Sequence, residues 1–239
     1  MRQDIHNSNV PSICRECEAR HNGICGALNE EELQQIAKHT RQVVHAEGDE
    51  LMSESEPVEY YANVMRGAIK LSKMLADGRQ QVVGLQFAPD FLGRPFARES
   101  RLTAEAASET KLCHIPKPAF EAMLKQNAQL EHRLFDQTLR ELDEARDWML
   151  TLGRKTASEK LASFLLLIAT HINPVRDENS NRAVFDLPLT RADIADFLGL
   201  TIETVSRQLT KLRSAGVIEV TNNRHVVIPD LERLSARCG

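Results

Sequence analysis

The sequence has no long apolar run and no segment that resembles a secretory signal. Its longest uninterrupted apolar stretch, FLLLIA at 164–169, is far shorter than the roughly 20 residues that a membrane-spanning helix needs. The opening residues MRQDIHNSNV have no apolar core of the kind that signal peptides carry. The sequence therefore predicts a cytoplasmic protein without a membrane partner.

The sequence also lacks any constellation of residues that would indicate an enzyme. No motif combines a nucleophile, a base and an orienting group, and no motif supplies a metal site with an open position. The 239 residues, 42% of them hydrophobic, are enough to bury one large core or two modest ones. We therefore expect a globular protein without enzymatic activity.

The acidic excess of the chain is concentrated in its first part. The formal net charge of the whole chain is −4, which divides into −6 for residues 1–151 and +2 for residues 152–239. Because DNA-binding proteins contact phosphates through cationic side chains, any DNA contact is expected in the C-terminal third. The difference is small and does not by itself identify a DNA-binding protein.

Three of the five cysteines are crowded near the N terminus, with the spacing Cys14-x2-Cys17-x7-Cys25, whereas Cys113 and Cys238 stand alone. In a reducing cytoplasm such crowding indicates a metal or redox site rather than a disulfide framework. Residues 1–28 show no helical or strand periodicity. We therefore predict a loop whose order depends on a bound metal.

Between residues 29 and 125 the pattern is mostly that of β-structure. A short helix is predicted at 29–40 and another at 119–124. Between them, brief apolar or alternating runs are separated by glycines, which is typical of antiparallel strands, and the pair Asp77-Gly78 predicts a hairpin.

A long helix is predicted next, because no glycine or proline occurs between residues 129 and 152. Its apolar and small residues recur with heptad spacing and form a narrow seam. The seam comprises Phe135, Thr138, Leu142, Ala145, Met149 and Leu152. The narrowness favours a partner helix and therefore a homodimer, although packing on the protein's own sheet is the alternative. Gly153 is expected to interrupt this helix, and an apolar helix follows at 157–172.

The C-terminal region has the spacing of a helix-turn-helix followed by a wing. Thr190 caps the first helix and Asp193 is placed to complete a near capping box, while Thr201 caps the second helix. The predicted elements are helices at 190–199 and 202–214 and strands at 217–221 and 225–228.

The exposed face of the second helix carries side chains suited to reading base edges. Arg207 can donate two hydrogen bonds to guanine, Glu203 can accept one from a cytosine amino group, and Ser206 suits several bases. Further side chains are candidates for contacts with the DNA backbone. These are Thr201, Thr204, Lys211, Arg213 and Arg224.

The run LPLTRADIADFLGLTIETVSRQLTKLRSAGVIEV closely resembles the winged helix of the CRP/FNR transcription regulators, and its E-x-x-S-R pattern is that of the FNR branch. The likeness extends through LADGRQQVVGLQFAPDFLG and LGRKTASEKLASFLLLIA, so it covers most of the chain. It implies an α+β fold with an antiparallel β-roll of the cyclic-nucleotide-binding type, a long dimerisation helix and a C-terminal winged helix-turn-helix. The implied boundaries are 1–28 for a cluster-binding segment, 29–125 for the roll, 126–152 for the dimerisation helix and 153–239 for the DNA-binding domain.

The resemblance also implies partners. In this family an E-x-x-S-R helix reads half-sites of a TTGAT-type palindrome in promoter DNA, and a dimer is needed to read both half-sites. Activation involves contacts to RNA polymerase, for which the loops at 76–79 and 94–101 are candidates.

The sensor ligand implied by the resemblance is a metal cluster. Nucleotide-binding members carry a Gly-Glu pair, but here Gly93 is followed by Arg94, and the later segment RESRLTAEAAS has no aligned Arg-Ser pair. No cyclic nucleotide is therefore expected. Cys113 resembles in position the fourth cluster ligand of FNR proteins, which with the three N-terminal cysteines implies a [4Fe-4S] cluster and an oxygen-responsive regulator of anaerobic or microaerobic genes. The gap before Cys25 is longer than in enteric FNR proteins and matches a variant in rhizobial and related proteins.

Three alternatives remain open at this point. Four thiolates also suit a structural zinc site or a thiol/disulfide switch, and spacing alone does not separate these from a cluster. An iron-sulfur electron carrier could use the same cysteines, but it would have no reason to carry a helix-turn-helix.

In FNR-type proteins oxygen degrades the cluster and returns the dimer to monomers, and Thr138 and Ala145 suit such a switch because they weaken the seam.

Overall fold

The computed structural model describes residues 9–15, 17–172 and 181–239. The helices are α1 (Ser12–Arg15), α2 (Glu18–His21), α3 (Glu30–Ala37), α4 (Lys117–Gln126), α5 (Ala128–Arg154), α6 (Ala157–Ile172), α7 (Arg191–Leu198), α8 (Ile202–Ser214) and α9 (Leu231–Ser235), with a 3-10 turn at Ile24–Ala27. The strands are β1 (Arg41–His45), β2 (Glu50–Met52), β3 (Tyr60–Arg66), β4 (Ala68–Met74), β5 (Gln80–Phe87), β6 (Phe91–Leu92), β7 (Thr103–Ala106), β8 (Thr110–Pro116), β9 (Ala183–Asp186), β10 (Glu219–Thr221) and β11 (His225–Ile228).

The chain divides into two compact units. One comprises Met1–Lys73 and Gly84–Asp143, and the other comprises Met74–Val83 and Glu144–Gly239. The division falls inside α5 and does not follow the boundaries implied by the resemblance. Among the described residues, no helix is both long and apolar enough to cross a membrane.

Two antiparallel four-stranded sheets form the predicted β-roll. Their strand orders are β1-β8-β3-β6 and β2-β7-β4-β5. Strand β8 lies between β1 and β3 and pairs with both. The antiparallel roll, the long helix and the helix-turn-helix confirm the predicted α+β class.

The alternation of side chains along β3 separates two hydrophobic cores. Ala62 and Val64 point into the roll, where they pack with Leu112 of β8. Tyr61 points to the opposite face and packs in a second core beneath the N-terminal segment and the α4–α5 region, together with Ile115 and Phe120. The second face therefore supports the helical part of this unit.

The N-terminal segment is not the irregular loop predicted from its lack of periodicity. It forms α1, α2 and the 3-10 turn, each a single turn long. Val10, Ala19 and Ile24 are buried, so tertiary packing orders turns that are too short to show a periodic pattern. The predicted helix at 29–40 is shorter as α3, and its Asn29–Glu32 capping box is complete. The helix predicted at 119–124 is longer as α4.

The interruption predicted at Gly153 is wrong, because α5 continues to Arg154. A glycine in a helix interior costs only about 1 kcal/mol relative to alanine, which the rest of a long helix can offset. Cys238 also differs from expectation: it is buried rather than frayed, and its Sγ donates to the carbonyl of Leu234 at 3.5 Å.

The second unit contains the predicted helix-turn-helix and wing. Helix α6 has the predicted bounds and supplies a buried face that includes Phe164. Helix α7 ends at Gly199, which has a left-handed backbone (φ 61°) that favours glycine. Strands β10, β11 and β9 form one antiparallel sheet, and Asn222 and Asn223 have positive φ angles in the wing turn. The polar loop predicted at 173–182 lies mostly outside the described residues.

Candidate metal centre and DNA-reading surface

Cys113 lies at the centre of the outward sheet face. In the antiparallel register it is opposite Gln42 on β1 and opposite Asn63 on β3. Residues directly opposite one another in such a pair have their Cβ atoms roughly 4.5–5.5 Å apart and share a face of the sheet. Gln42, Cys113 and Asn63 therefore form a row across three neighbouring strands.

The amides at the two ends of this row hold the N-terminal segment. Gln42 Nε2 donates to the carbonyl oxygen of Ile13 at 3.2 Å, and Asn63 Nδ2 donates to Cys25 Sγ at 3.4 Å. Cys14 and Cys25 also pack against the core that contains Ile24. The segment that carries three of the predicted ligands is thus docked on β1 and β3, the two strands that flank the strand carrying the fourth.

The four thiols also affect one another's pKa values. Burial raises the pKa of Cys14 to about 11, and the neighbouring Cys17 adds to the rise. Burial raises the pKa of Cys113 to about 12, with further contributions from Cys17 and Cys14. The pKa of Cys25 is well above its ordinary value because of burial and then because of the three other thiols. We call Cys14, Cys17, Cys25 and Cys113 the four-cysteine site.

The donor set of this site suits a thiolate-ligated metal group. All five cysteines of the chain are free thiols, and Cys17 is buried. Within the described ranges, no three His, Cys, Asp or Glu side chains are arranged to hold one metal ion. A single tetrahedral zinc would need its sulfur ligands only ~3.8 Å apart, given Zn–S bonds of about 2.3 Å. Four thiols could hold either a zinc ion or an iron-sulfur cluster.

Helix α5 contacts the cysteine-bearing segment directly. Arg133 donates from Nε to the carbonyl of Gly23 at 3.3 Å and from a terminal nitrogen to the carbonyl of Asn22 at 3.0 Å. Both carbonyls lie between Cys17 and Cys25. Leu130 and Leu134 of the same helix pack against the core around Ile24. No sequence motif marked Arg133, because its role depends on a contact between residues 110 positions apart.

The seam predicted on α5 is exposed over most of its length. Phe135, Leu142 and Met149 have 57%, 44% and 72% of their surface exposed, while Leu152 is half-buried. Thr138 and Ala145 are also exposed. Leu139 and Leu150 are exposed as well and were not part of the predicted seam. Such a continuous apolar strip on one helix is typical of an interface with another chain.

Helix α8 presents the predicted base-reading side chains to solvent. Glu203, Ser206 and Arg207 are exposed, whereas Val205 and Leu209 are buried. The alternation follows from the helical period, which places the first set on the face opposite the core. The helix is thereby anchored by one face and free to enter a groove with the other.

The cap of α8 involves two of the predicted backbone contacts. The Thr201 side chain accepts a hydrogen bond from the Thr204 backbone nitrogen at 3.2 Å, and Arg207 donates to Thr204 Oγ1 at 3.3 Å. Lys211 and Arg213 are exposed further along the helix. The cap therefore orients Arg207 as well as the helix N-terminus.

Arg224 and Arg191 flank the wing turn. Arg224 is exposed, and its Nε donates to the carbonyl of Leu187 at 3.3 Å. Arg191, which the sequence did not single out, donates to the carbonyl of Asn223 at 2.9 Å. A groove between α8 and the wing is lined by Arg191 and Arg213 together with Ser206. Cations on both sides of this groove suit it to a phosphate backbone.

Comparison with known proteins identifies both parts of the chain. Residues 159–237 match the Crp-like helix-turn-helix domain, and residues 42–127 match the cyclic nucleotide-binding domain. The chain is 50% identical over 233 residues to a probable transcriptional activator of Rhizobium leguminosarum bv. viciae, which covers 98% of this chain and 96% of that protein. The chain belongs to the CRP/FNR family. This CRP/FNR protein is a DNA-binding transcription regulator of a family that is typically dimeric, and its domains are those of regulators rather than enzymes.

Two further relatives place this CRP/FNR regulator in the FNR/FixK group. It is 38% identical to the transcriptional activator protein FnrL of Cereibacter sphaeroides, over 96% of this chain and 94% of that protein. The solved structure of FixK2 from Bradyrhizobium japonicum superposes with a TM-score of 0.74 at 33% identity, covering 84% of this chain and 98% of that one.

Proposed function

We propose that the protein is an oxygen-responsive transcription activator that binds promoter DNA as a homodimer and carries a [4Fe-4S] cluster on the four-cysteine site. The observation that carries this proposal is the docking of the segment that holds Cys14, Cys17 and Cys25 on the sheet face that bears Cys113, through hydrogen bonds from Gln42 and Asn63 on the two flanking strands. The relatives named transcriptional activators support the activating role. Because its partner is chromosomal DNA, we place the protein in the cytoplasm.

The thiols of the site would hold the cluster after losing their protons. Their raised pKa values keep them protonated in the metal-free protein at neutral pH, so loading releases protons. When bound, the cluster would supply iron and sulfide that oxygen can oxidise. Cys17 is buried and the other three cysteines are half-buried, which limits the access of water and oxidants to the sulfur atoms.

The contacts of α5 with the cysteine segment give the site a route to the dimer interface. Arg133 and Leu130 connect the segment between Cys17 and Cys25 to the helix whose exposed seam begins at Phe135. If that segment loses its order, α5 therefore loses these contacts. Because Thr138 and Ala145 make the seam weak, a small free energy can shift the monomer–dimer equilibrium.

The DNA target that fits the exposed face of α8 is a TTGAT-type palindrome read in the major groove. Arg207 would read a guanine, and Glu203 and Ser206 would contact neighbouring bases. RNA polymerase would contact the loops at 76–79 and 94–101. In the promoters of anaerobic or microaerobic genes, one dimer would cover both half-sites.

We further propose that the roll binds no cyclic nucleotide. Gly93 has a φ of 138°, and a Cβ atom at this position would collide with the ring of Tyr61. Gly93 is therefore packed against the ring of Tyr61, whose hydroxyl donates to the carbonyl of Arg94 at 3.5 Å. Arg94 also places a cation where nucleotide-binding members carry the carboxylate that holds the ribose.

The proposal is tested by anaerobic purification of the full chain, with analysis of iron, sulfide and zinc. We expect about four irons and four sulfides per chain and a broad visible absorption band that disappears in air. Size exclusion and binding to a palindromic promoter, measured on the same samples, should show a DNA-binding dimer before air and a monomer after it.

Cys113→Ser and Cys238→Ser provide a matched pair of single-sulfur changes. The first should abolish the band and the second should leave it intact, since Cys238 contacts Leu234 outside the four-cysteine site. Stoichiometric zinc would indicate a structural zinc site instead of a cluster. Metal-free protein with an air-sensitive disulfide would indicate a thiol switch. An intact cluster without sequence-specific DNA binding would instead support an electron carrier.

A further inference from the structure

We infer that Asn63 is a positioning residue of the metal centre, whose side-chain amide donates a hydrogen bond to the Cys25 sulfur and thereby sets the lifetime of the bound group in air. This inference rests on the proposed function, because it assigns a role in holding the same cluster. It concerns a residue that supplies no metal–ligand bond.

The position of Asn63 is unusual for a polar side chain. It is 1% exposed, in the middle of β3, and lies opposite Cys113 on one side and opposite Phe91 on the other. A buried amide costs free energy unless it is hydrogen-bonded. Its Nδ2 donates to Cys25 Sγ at 3.4 Å, so its identified side-chain partner is a sulfur atom.

The remaining polar atom of Asn63 has no partner among the described residues. Oδ1 is fully buried and accepts no hydrogen bond there. A structural role alone would be served better by an apolar residue, because a buried polar atom without a partner costs free energy. The amide therefore acts through its N–H group at the Cys25 sulfur.

A hydrogen bond to a ligating sulfur has a defined effect on a metal centre. It stabilises the negative charge on the thiolate and, more strongly, the reduced state of a cluster, so it raises the reduction potential. A higher potential makes the bound cluster harder to oxidise. The same bond fixes the Cys25 side chain against the sheet, as partners of metal ligands do in other sites.

The experiment compares Asn63→Leu with the wild-type chain and with Gln86→Leu as a matched control. Gln86 is also a buried amide of the roll, with its Nε2 donating to the Phe91 carbonyl at 3.2 Å and its Oε1 without a partner in the described part of the chain. Asn63→Ala removes the amide donor without adding side-chain volume, which covers the case in which the leucine variant does not fold.

Three quantities are measured on anaerobically prepared full-length protein: the midpoint potential, the rate at which the visible band is lost in air, and the retention of metal against a chelator. For both Asn63 variants we expect a lower midpoint potential. We also expect the visible band and the metal to be lost on the order of 10-fold faster, as when other hydrogen-bond partners of metal ligands are removed. Gln86→Leu should match the wild type in all three.

Unchanged potential and band lifetime in both Asn63 variants would overturn the inference, and so would equal changes in Gln86→Leu. The wild-type chain reports separately on the proposed function. If it holds zinc instead of a cluster, the oxygen-sensor proposal fails, while faster zinc release from the Asn63 variants would still support the positioning role. If it holds neither metal, both proposals fail.

Discussion

Arg207 and Lys211 lie one turn apart on the exposed part of α8, yet their expected roles differ. Arg207→Gln should cost about 1–3 kcal/mol of binding to the palindrome and relax the preference for guanine at one position, because a two-bond contact to a base edge is lost. Lys211→Gln should weaken all sequences equally and reduce the salt slope by about one. Titrations with palindromic and scrambled DNA at several salt concentrations separate these outcomes, and identical behaviour of the two variants would contradict the assignment.

The raised pKa values of the cysteines predict how the metal-free protein responds to pH. A thiol whose pKa is higher in the folded chain than in the unfolded chain stabilises the folded state. This contribution is fully present below the pKa of the unfolded chain, about 8.5, and is lost as the pH rises through the pKa of the folded chain. For Cys14 and Cys113 the folded values are about 11 and about 12. The free energy of unfolding should therefore decrease above about pH 8.5.

Urea unfolding under reducing, chelating conditions at several pH values measures this decrease. Cys113→Ser should show a shallower decline than the wild type, because one of the buried thiols no longer ionises. Parallel declines in the two chains would mean that other groups, such as the buried Tyr61, dominate the alkaline response.

The residues that the sequence identified differ from those it missed in how far their signals reach. Cys14, Cys17 and Cys25 are grouped by short spacing, and Arg207 follows from a local helical period. Asn63 carries no local signal, because a single asparagine in a strand becomes meaningful only when Cys25 is docked against it. Cys113 came from resemblance to a family rather than from its own neighbours.

At the level of elements, Arg133 connects the cysteine segment to α5, the helix proposed to form the dimer interface. Arg133→Leu should leave the iron content near the wild-type value, because Arg133 contacts backbone carbonyls and not the thiols. It should weaken the coupling between the metal centre and dimerisation by about 1–3 kcal/mol, since two charged hydrogen bonds are lost. Sedimentation of the anaerobic and air-exposed forms gives the two dimerisation constants from which the coupling is calculated.

Arg140→Leu serves as the control, because Arg140 is exposed on the same helix. It should preserve the difference between the two dimerisation constants. An equal difference in wild type and Arg133→Leu would remove Arg133 from the coupling and leave the packing of Leu130 as the remaining connection.

Helices and strands were predicted correctly where the segment is long enough to show a period and carries the residues that mark its ends. Helices α6 and α8 have the predicted bounds, and α8 has its Thr201 cap. The single-turn helices α1 and α2 were missed because four residues cannot show a period. Their order comes from burial against distant residues, which no local pattern records.

On the scale of the whole molecule, two-fold symmetry would constrain the DNA that can be bound. Two copies of α8 related by a dimer axis reach half-sites about one helical turn apart, so both must lie on the same side of the duplex. Inserting about five base pairs between the half-sites should lower affinity to that of a single half-site, and inserting about ten should do so less severely. Equal affinity for all spacings, measured with full-length anaerobic protein, would mean that the two domains bind independently.

The pairing of β8 with both β1 and β3 also orders events during synthesis. Cys113 is added 88 residues after Cys25, which at roughly 5–20 residues per second takes about 4–18 s. For that time the three earlier thiols have no completed sheet on which to dock, because the central strand of their docking face has not yet been made. Each nascent chain therefore passes through a period in which its N-terminal thiols have no docking face, and on the proposed function iron delivery would follow translation of the roll.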